Sequence, residues 1–339
     1  MHDSRAVEAH REPRVNVSTP GRFGANRARR ESCAGRAEDA TTSAAVGTPT
    51  PRRRASVTHG RVEPPQTSHR YSESVTDLAD DLAFALRLAD AADAVAMGRF
   101  DAPDLDIATK ADASFVTEAD LATERAIREL IVSERAGDSV FGEEFGDAGA
   151  AHRRWVIDPI DGTSNYLRGL PMWGVLIALE IDGIPSIGVV SVPALGRRWW
   201  SAVGLGAWTN DPTGGAPRSI RVSDIDSVDR ASVSFQSIAQ WDEAGHLPGL
   251  IALTRAVWRD RGYGDVWPYM MLAEGRIELV AEFDVKEYDI AAVAAIVREA
   301  GGTFTSFEGE DRLDAGSSFA SNGELHDALL AIAHTREPA

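Results

Sequence analysis

The run Trp155-Val156-Ile157-Asp158-Pro159-Ile160-Asp161-Gly162-Thr163 constrains this chain more than any other stretch. Trp155 to Ile157 is a short apolar run that predicts a buried strand. Pro159 has no N–H to give to a ladder, so the strand is expected to stop there. Asp158 and Asp161 then fall together at a strand end, and two carboxylates that close repel unless something positive lies between them. A divalent cation solves that problem, and hard oxygen donors suit magnesium. Gly162 lets the backbone approach a ligand closely. A helix starting near Thr163 would aim free N–H groups and the positive end of its dipole at an anion. A cation and an anion pocket at one corner point to phosphate chemistry. An ordinary turn accounts for Asp, Pro and Gly equally well, so the rest of the chain has to decide.

A length of 339 residues suffices for two domains or one large one, and a hydrophobic content of 43% supports a substantial core. The formal net charge of −17 argues against a general binder of nucleic acid or anionic membrane. That charge is unevenly spread. Residues 1–70 hold 13 Arg against 7 Asp and Glu, with few large apolar residues and no clear period, which predicts a disordered basic leader. The polar Gly/Pro loop at 211–217 divides the remainder into 71–212 and 213–339. The single cysteine, Cys33, lies in the leader and leaves no intramolecular disulfide, as fits a cytoplasmic protein. No apolar run is long enough to span a membrane, and the N-terminus lacks the apolar core of a secretory signal.

Leu78, Leu82, Leu86 and Ala89 recur at helical spacing, predicting a helix from Ser74 to about Phe100 capped by Ser74 or Thr76. Lys110 follows in a polar loop. Thr117 and Asp120 approximate a capping box for a second helix. Ser139-Val140-Phe141 predicts a strand that ends in Gly142-Glu143-Glu144, a second place where carboxylates follow a strand. Strands at 175–181, 186–192, 198–201 and 207–209 read as an antiparallel meander. Beyond it come strands at 220–222 and 231–235, a helix over 249–261, and the turn Gly262-Tyr263-Gly264-Asp265 before a shorter helix. A strand at 277–281 precedes Asp289, which stands just ahead of an apolar helix over 291–300 closed by Gly301-Gly302. Strands at 303–307 and 318–320 and a helix over 323–334 complete the chain.

Five separated features occur in order: Lys110, the helix start at Thr117–Glu124, Gly142-Glu143-Glu144, Asp158–Thr163, and Tyr288-Asp289-Ile290-Ala291-Ala292. Together they resemble the inositol monophosphatase superfamily of magnesium-dependent phosphatases, over roughly residues 75–335. Tyr288 stands where that superfamily usually has Trp. The runs Phe141–Gly146, Tyr166–Pro171 and Pro193–Trp200 bring the likeness nearest to actinobacterial histidinol-phosphatases. The resemblance implies a layered α-β-α-β-α sandwich with the site between two subdomains. It implies that Glu143, Asp158, Asp161, Asp289 and the Ile160 carbonyl hold Mg2+, and that Thr163, paired with Glu143, positions the attacking water. The Gly162 and Thr163 N–H groups would hold phosphate, with Asp120 and Lys110 at the edge of the site. A small phosphorylated metabolite would be the substrate and a homodimer the assembly, with no nucleic acid and no membrane as partner.

The chemistry read from the residues agrees. A phosphate monoester is very unreactive, and charge spreads over the transferred group and leaving oxygen in the transition state, so cations held by carboxylates meet the demand. No Cys or His stands in a recognisable nucleophile motif, so direct attack by water activated by the metal is the expected route. Taken singly, Asp289 as a helix cap, Asp120 as a dipole partner and Lys110 as a surface charge compete well, but they do not explain four carboxylates at element ends in this order. Histidinol phosphate carries an ammonium and an imidazole, so Asp265 is expected either to supply a negative charge away from the phosphate or to cap the helix near Val266. The same chemistry on an inositol phosphate, a sugar bisphosphate or a phosphoadenosine nucleotide is the alternative. A regulatory protein associated with transcription machinery is the alternative of another class, favoured only by the leader.

Overall fold

The computed structural model describes residues 75–110 and 115–336. The expected leader and Ser74 lie outside what is described, and Thr76 falls inside the first helix, Val75–Arg99, past its first residue, so it is not the cap. The elements are α1 (Val75–Arg99), β1 (Ile107–Thr109), β2 (Phe115–Thr117), α2 (Glu118–Glu134), β3 (Ser139–Gly142), β4 (Gly146–Ala148), β5 (Arg153–Asp161), the single turn α3 (Thr163–Tyr166), β6 (Gly174–Ile181), β7 (Ile184–Val192), β8 (Arg197–Ala202), β9 (Gly206–Thr209) and β10 (Arg218–Ile220). There follow β11 (Ser232–Phe235), α4 (Ile238–Glu243), α5 (Leu247–Ala256), β12 (Arg259–Arg261), α6 (Val266–Ala273), β13 (Leu279–Phe283), α7 (Glu287–Glu299), β14 (Thr303–Thr305), β15 (Ser317–Ser321) and α8 (His326–Ala333).

Beyond the β1–β2 hairpin there are two large sheets, ordered β10-β9-β8-β7-β6-β5-β3-β4 and β12-β11-β13-β15-β14. Every residue of β6 is buried, which requires apolar cover on both faces. Alternation along β5 and β6 supplies it. Trp155, Ile157, Val175, Ile177 and Leu179 pack against α1 and α2 through Phe84, Leu88, Ile127 and Ile131. Val156, Leu176 and Ala178 face the other way, onto α6 and α7 through Met270, Ile290 and Val293, and that layer also receives Val280 and Ala320 of the second sheet. Leu279, Ala281 and Phe319 point to the far side, where Trp241, Leu250 and Leu329 bring in α4, α5 and α8. The result is the layered α-β-α-β-α sandwich. Each fully buried Leu, Ile or Val in these layers contributes about 1.5–3 kcal/mol. The middle layer is thin enough that a Cβ on Gly188 of β7 would lie 2.3 Å from the Ala292 carbonyl oxygen of α7.

Three expectations are corrected. The central strand does not stop at Pro159 but continues to Asp161 through a register shift between Asp158 and Asp161, so the proline sits in a bulge, where a missing N–H costs the ladder nothing. The helix expected over 249–261 ends at Ala256, because Arg259–Arg261 are drawn into parallel pairing with β11. The strand expected at 220–222 is β10, which joins the edge of the first sheet at Arg218–Ile220. The Gly301-Gly302 stop is as expected: Gly301 adopts φ 88° and Gly302 N–H donates to the Val297 carbonyl at 2.9 Å. Among the described residues, no helix is long and apolar enough to cross a membrane.

Candidate active site

In a regular strand, residues three apart point to opposite faces. The β5 bulge breaks that rule and lets Asp158 and Asp161 converge. Asp289 joins them from the first turn of α7, and one oxygen from each of the three lies within 4.8 Å of the others. Backbone donors fix each carboxylate: Ile160 N–H to Asp158 Oδ1 at 3.0 Å, Val266 N–H to Asp161 Oδ2 at 2.6 Å, and Lys286 N–H to Asp289 Oδ2 at 2.6 Å. Asp289 therefore serves both its helix start and the cluster.

Burial, and then the charges of Glu143, Asp161 and Asp289, push the Asp158 carboxyl well above the usual range. Burial and the charges of Asp265 and Asp289 do the same to Asp161. Burial pushes Asp289 up to about 7 against the pull of the Lys286 N–H bond. Only protons or a cation relieve such a cluster. Acceptor-only carboxylates beside a backbone carbonyl are the donor set a hard divalent cation takes, so the residues fit such an ion. Among the described residues, no His or Cys belongs to the cluster.

Glu143 stands apart from the tight trio. Its Oε1 accepts from Lys110 Nζ at 2.7 Å, and the same ammonium reaches Glu144 Oε1 at 2.8 Å. Burial alone would lower the Lys110 pKa, but the two carboxylates outweigh it and raise it. Glu144 is pushed up to about 7, mainly by burial. Glu124, at the end of the expected helix start, organises this loop. Fully buried in α2, it accepts from Glu144 N–H at 2.7 Å and Phe145 N–H at 3.3 Å, and pairs with Arg128 at 2.7 Å. A Cβ on Gly142 would stand 2.1 Å from Glu124 Oε1, which explains the glycine.

Thr163 meets α2 and its own strand end. Its hydroxyl faces the Ile160 carbonyl at 3.1 Å and Asp120 Oδ1 at 3.4 Å, with no bond to Glu143 among its hydrogen bonds. Asp120 closes the capping box of α2, its Oδ2 accepting from Thr117 N–H at 2.8 Å and Thr117 Oγ1 at 2.6 Å. Burial raises its pKa.

Gly162 adopts φ 80°, and a Cβ there would meet Asp265 Oδ2 and the Met172 carbonyl oxygen at 3.3 Å. Asp265 thus lies beside the expected phosphate pocket rather than away from it. It makes no side-chain cap to α6, since Asp161 takes the Val266 N–H. Asn165 Nδ2 donates to Asp265 Oδ2 at 2.8 Å, and Asp265 has φ 53°, a costly conformation for a residue with a Cβ. Close by is Glu282, also unforeseen. Its Oε2 accepts from the Tyr269 hydroxyl at 2.8 Å and its buried Oε1 has no partner. Burial, with the charges of Asp265 and Asp289, pushes it up to about 8.

The profile described as "Inositol monophosphatase family" matches residues 77–337. A histidinol-phosphatase of Streptomyces coelicolor is 51% identical over 77% of this chain and 99% of its own length. One from Mycobacterium tuberculosis is 48% identical over 74% of this chain and 96% of its own length. Among solved structures, an inositol monophosphatase from Zymomonas mobilis superposes with a TM-score of 0.68 at 32% identity, covering 78% of this chain and all of that one. With the layered fold and the carboxylate cluster, the profile and these identities make the chain a member of the inositol monophosphatase family.

Proposed function

We propose that this chain hydrolyses L-histidinol phosphate to L-histidinol and inorganic phosphate, with Mg2+ as cofactor. The observation that carries the hydrolysis is the convergence of Asp158, Asp161 and Asp289 within 4.8 Å. Identities of 51% and 48% to two histidinol-phosphatases support the substrate.

Magnesium held by Asp158, Asp161 and Asp289, with Glu143 and the Ile160 carbonyl, would neutralise the charge that develops on the phosphoryl group and its leaving oxygen. The Thr163 hydroxyl donates its hydrogen bond to Ile160 O or Asp120, leaving its lone pairs to accept a hydrogen bond from the attacking water and so orient it. Asp120, locked by Thr117, keeps Thr163 in that orientation. The Gly162 and Thr163 N–H groups stand at the start of α3, where a helix offers its own amides no acceptor, and they receive phosphate oxygens. Lys110 holds Glu143 and Glu144 together at the rim. Asp265 supplies an acceptor for the ammonium of the substrate.

The test is phosphate release from histidinol phosphate, inositol 1-phosphate, fructose 1,6-bisphosphate and a phosphoadenosine nucleotide, each with and without chelator. Histidinol phosphate should lead by at least about tenfold in kcat/KM, because a site built to bond N–H groups rejects ligands lacking them, and chelator should abolish turnover. Undiminished activity in chelator, or a preference for inositol phosphate, sinks the assignment. We also read the protein as a cytoplasmic homodimer, which light scattering on the full chain checks for mass.

A further inference from the structure

Arg154 sits where the elements that carry the carboxylates meet. It lies opposite Glu180 in the β5–β6 ladder. Its Nε and Nη2 reach Glu180 Oε2 at 3.0 and 2.6 Å, and Nη2 also bonds Glu287 Oε1, in the first turn of α7. The guanidinium stands 5.4 Å from the centre of the Phe141 ring, and that ring contacts Tyr288 at 5.8 Å. Phe141 directly precedes Gly142-Glu143, and Tyr288 directly precedes Asp289. By strand alternation Arg154 shares a face with Val156 and Asp158, the face that α7 covers. One side chain thus touches β6, α7 and β3 from the strand that carries Asp158 and Asp161.

We propose that Arg154 is a positioning residue for the cation site: by bridging Glu180 and Glu287 over Phe141, it sets the first turn of α7 against β5 so that Asp289 meets Asp158 and Asp161. The proposal rests on reading those three aspartates as ligands of Mg2+. A planar guanidinium serves two carboxylates and an aromatic face at once, which an ammonium does not. An ion pair that merely stabilised the fold would leave cation affinity alone once the protein is folded.

The experiment is calorimetric titration of Mg2+ into the full chain, alongside kcat at saturating Mg2+. Arg154→Lys keeps the charge and loses the bridge. Glu287→Asp keeps the charge but is one methylene too short to reach Arg154, and the Glu287 side chain is 22% accessible, so the folded protein tolerates it. Arg87→Lys alters an ion pair with Glu134 on the outer helices and serves as control. The Mg2+ dissociation constant should rise about five- to tenfold in both test variants, with kcat at saturation within about twofold of wild type and the control unchanged; a one-ångström misplacement of a working group has costs of that order or more. Unchanged affinity in Arg154→Lys and Glu287→Asp, or an equal loss in Arg87→Lys, overturns the positioning role while leaving the cation site standing. A wild-type chain that takes up no Mg2+ overturns both.

Discussion

Asp158 is nearly inaccessible, yet it faces two other carboxylates. Asp158→Asn keeps its shape and removes its charge, so it should act oppositely on catalysis and on stability. Loss of several kcal/mol of transition-state stabilisation corresponds to a fall of ~10^3-fold or more in kcat. In chelator the same change relieves repulsion and should raise the melting temperature; a variant that melts lower than wild type in chelator counts against the account. Asp265→Asn probes recognition instead. Loss of a charge-assisted contact costs ~1.5–3 kcal/mol, so kcat/KM for histidinol phosphate should drop at least ~10-fold while p-nitrophenyl phosphate is hardly affected. Equal losses on both would remove Asp265 from substrate choice. Asp161, Asp289 and Glu143 could be singled out because each stands where a strand or helix begins or ends, and Asp158, inside β5, because Pro159 follows it. Glu124 and Glu282 could not, because what marks them is burial and an orphaned or shared oxygen, and Asn165 could not, because its bond to Asp265 spans distant segments; none of these leaves a local pattern. The contact between Thr163 and Asp120 leaves no local signal either: Asp120 lies on another element, and which carboxylate a hydroxyl meets is decided by packing.

Among the elements, the β3–β4 turn shows how one glycine governs two carboxylates. In Gly142→Ala the new methyl collides with the Glu124 carboxylate, whose Oε2 accepts from Glu144 N–H and whose Oε1 accepts from Phe145 N–H. Overpacking of this kind costs about 1–3 kcal/mol, and the displaced loop should cut kcat/KM at least ~10-fold. Urea unfolding and steady-state kinetics on the same sample check both, and a variant with native turnover shows the loop to be yielding. The meander and the long helices could be read ahead because period-2 and period-3.6 patterns are local. Pairing is not local. Pro159 promised a strand end, but β6 continues alongside and absorbs the extra residue as a bulge. Arg259–Arg261 carry no apolar alternation and become a strand only through contact with β11.

For the molecule as a whole, the raised carboxyls set the pH dependence of the cation-free state. Asp289 and Glu144 are held up at about 7 and Glu282 at about 8, with Asp158 and Asp161 shifted the same way. Between their unfolded values near 4 and these folded values, the native state binds more protons than the unfolded chain, so stability falls as pH rises through 7. Carboxyls shifted the other way, such as Glu274 and Asp314, lose their contribution only in more acid solution. Scanning calorimetry in chelator should give a lower melting temperature at pH 8 than at pH 5.5, and saturating Mg2+ should shrink or reverse the difference, since the ion takes the place of the protons. A melting temperature in chelator that climbs over this interval contradicts the electrostatic picture. The cluster also has a consequence for the order of events during synthesis. Asp158 and Asp161 leave the ribosome well before Asp289, which arrives only after most of the second sheet has been made. A partly synthesised chain therefore lacks the complete coordination set, and capture of the ion is postponed until the far-separated segments have docked, so the cation seals a finished fold instead of trapping an early one.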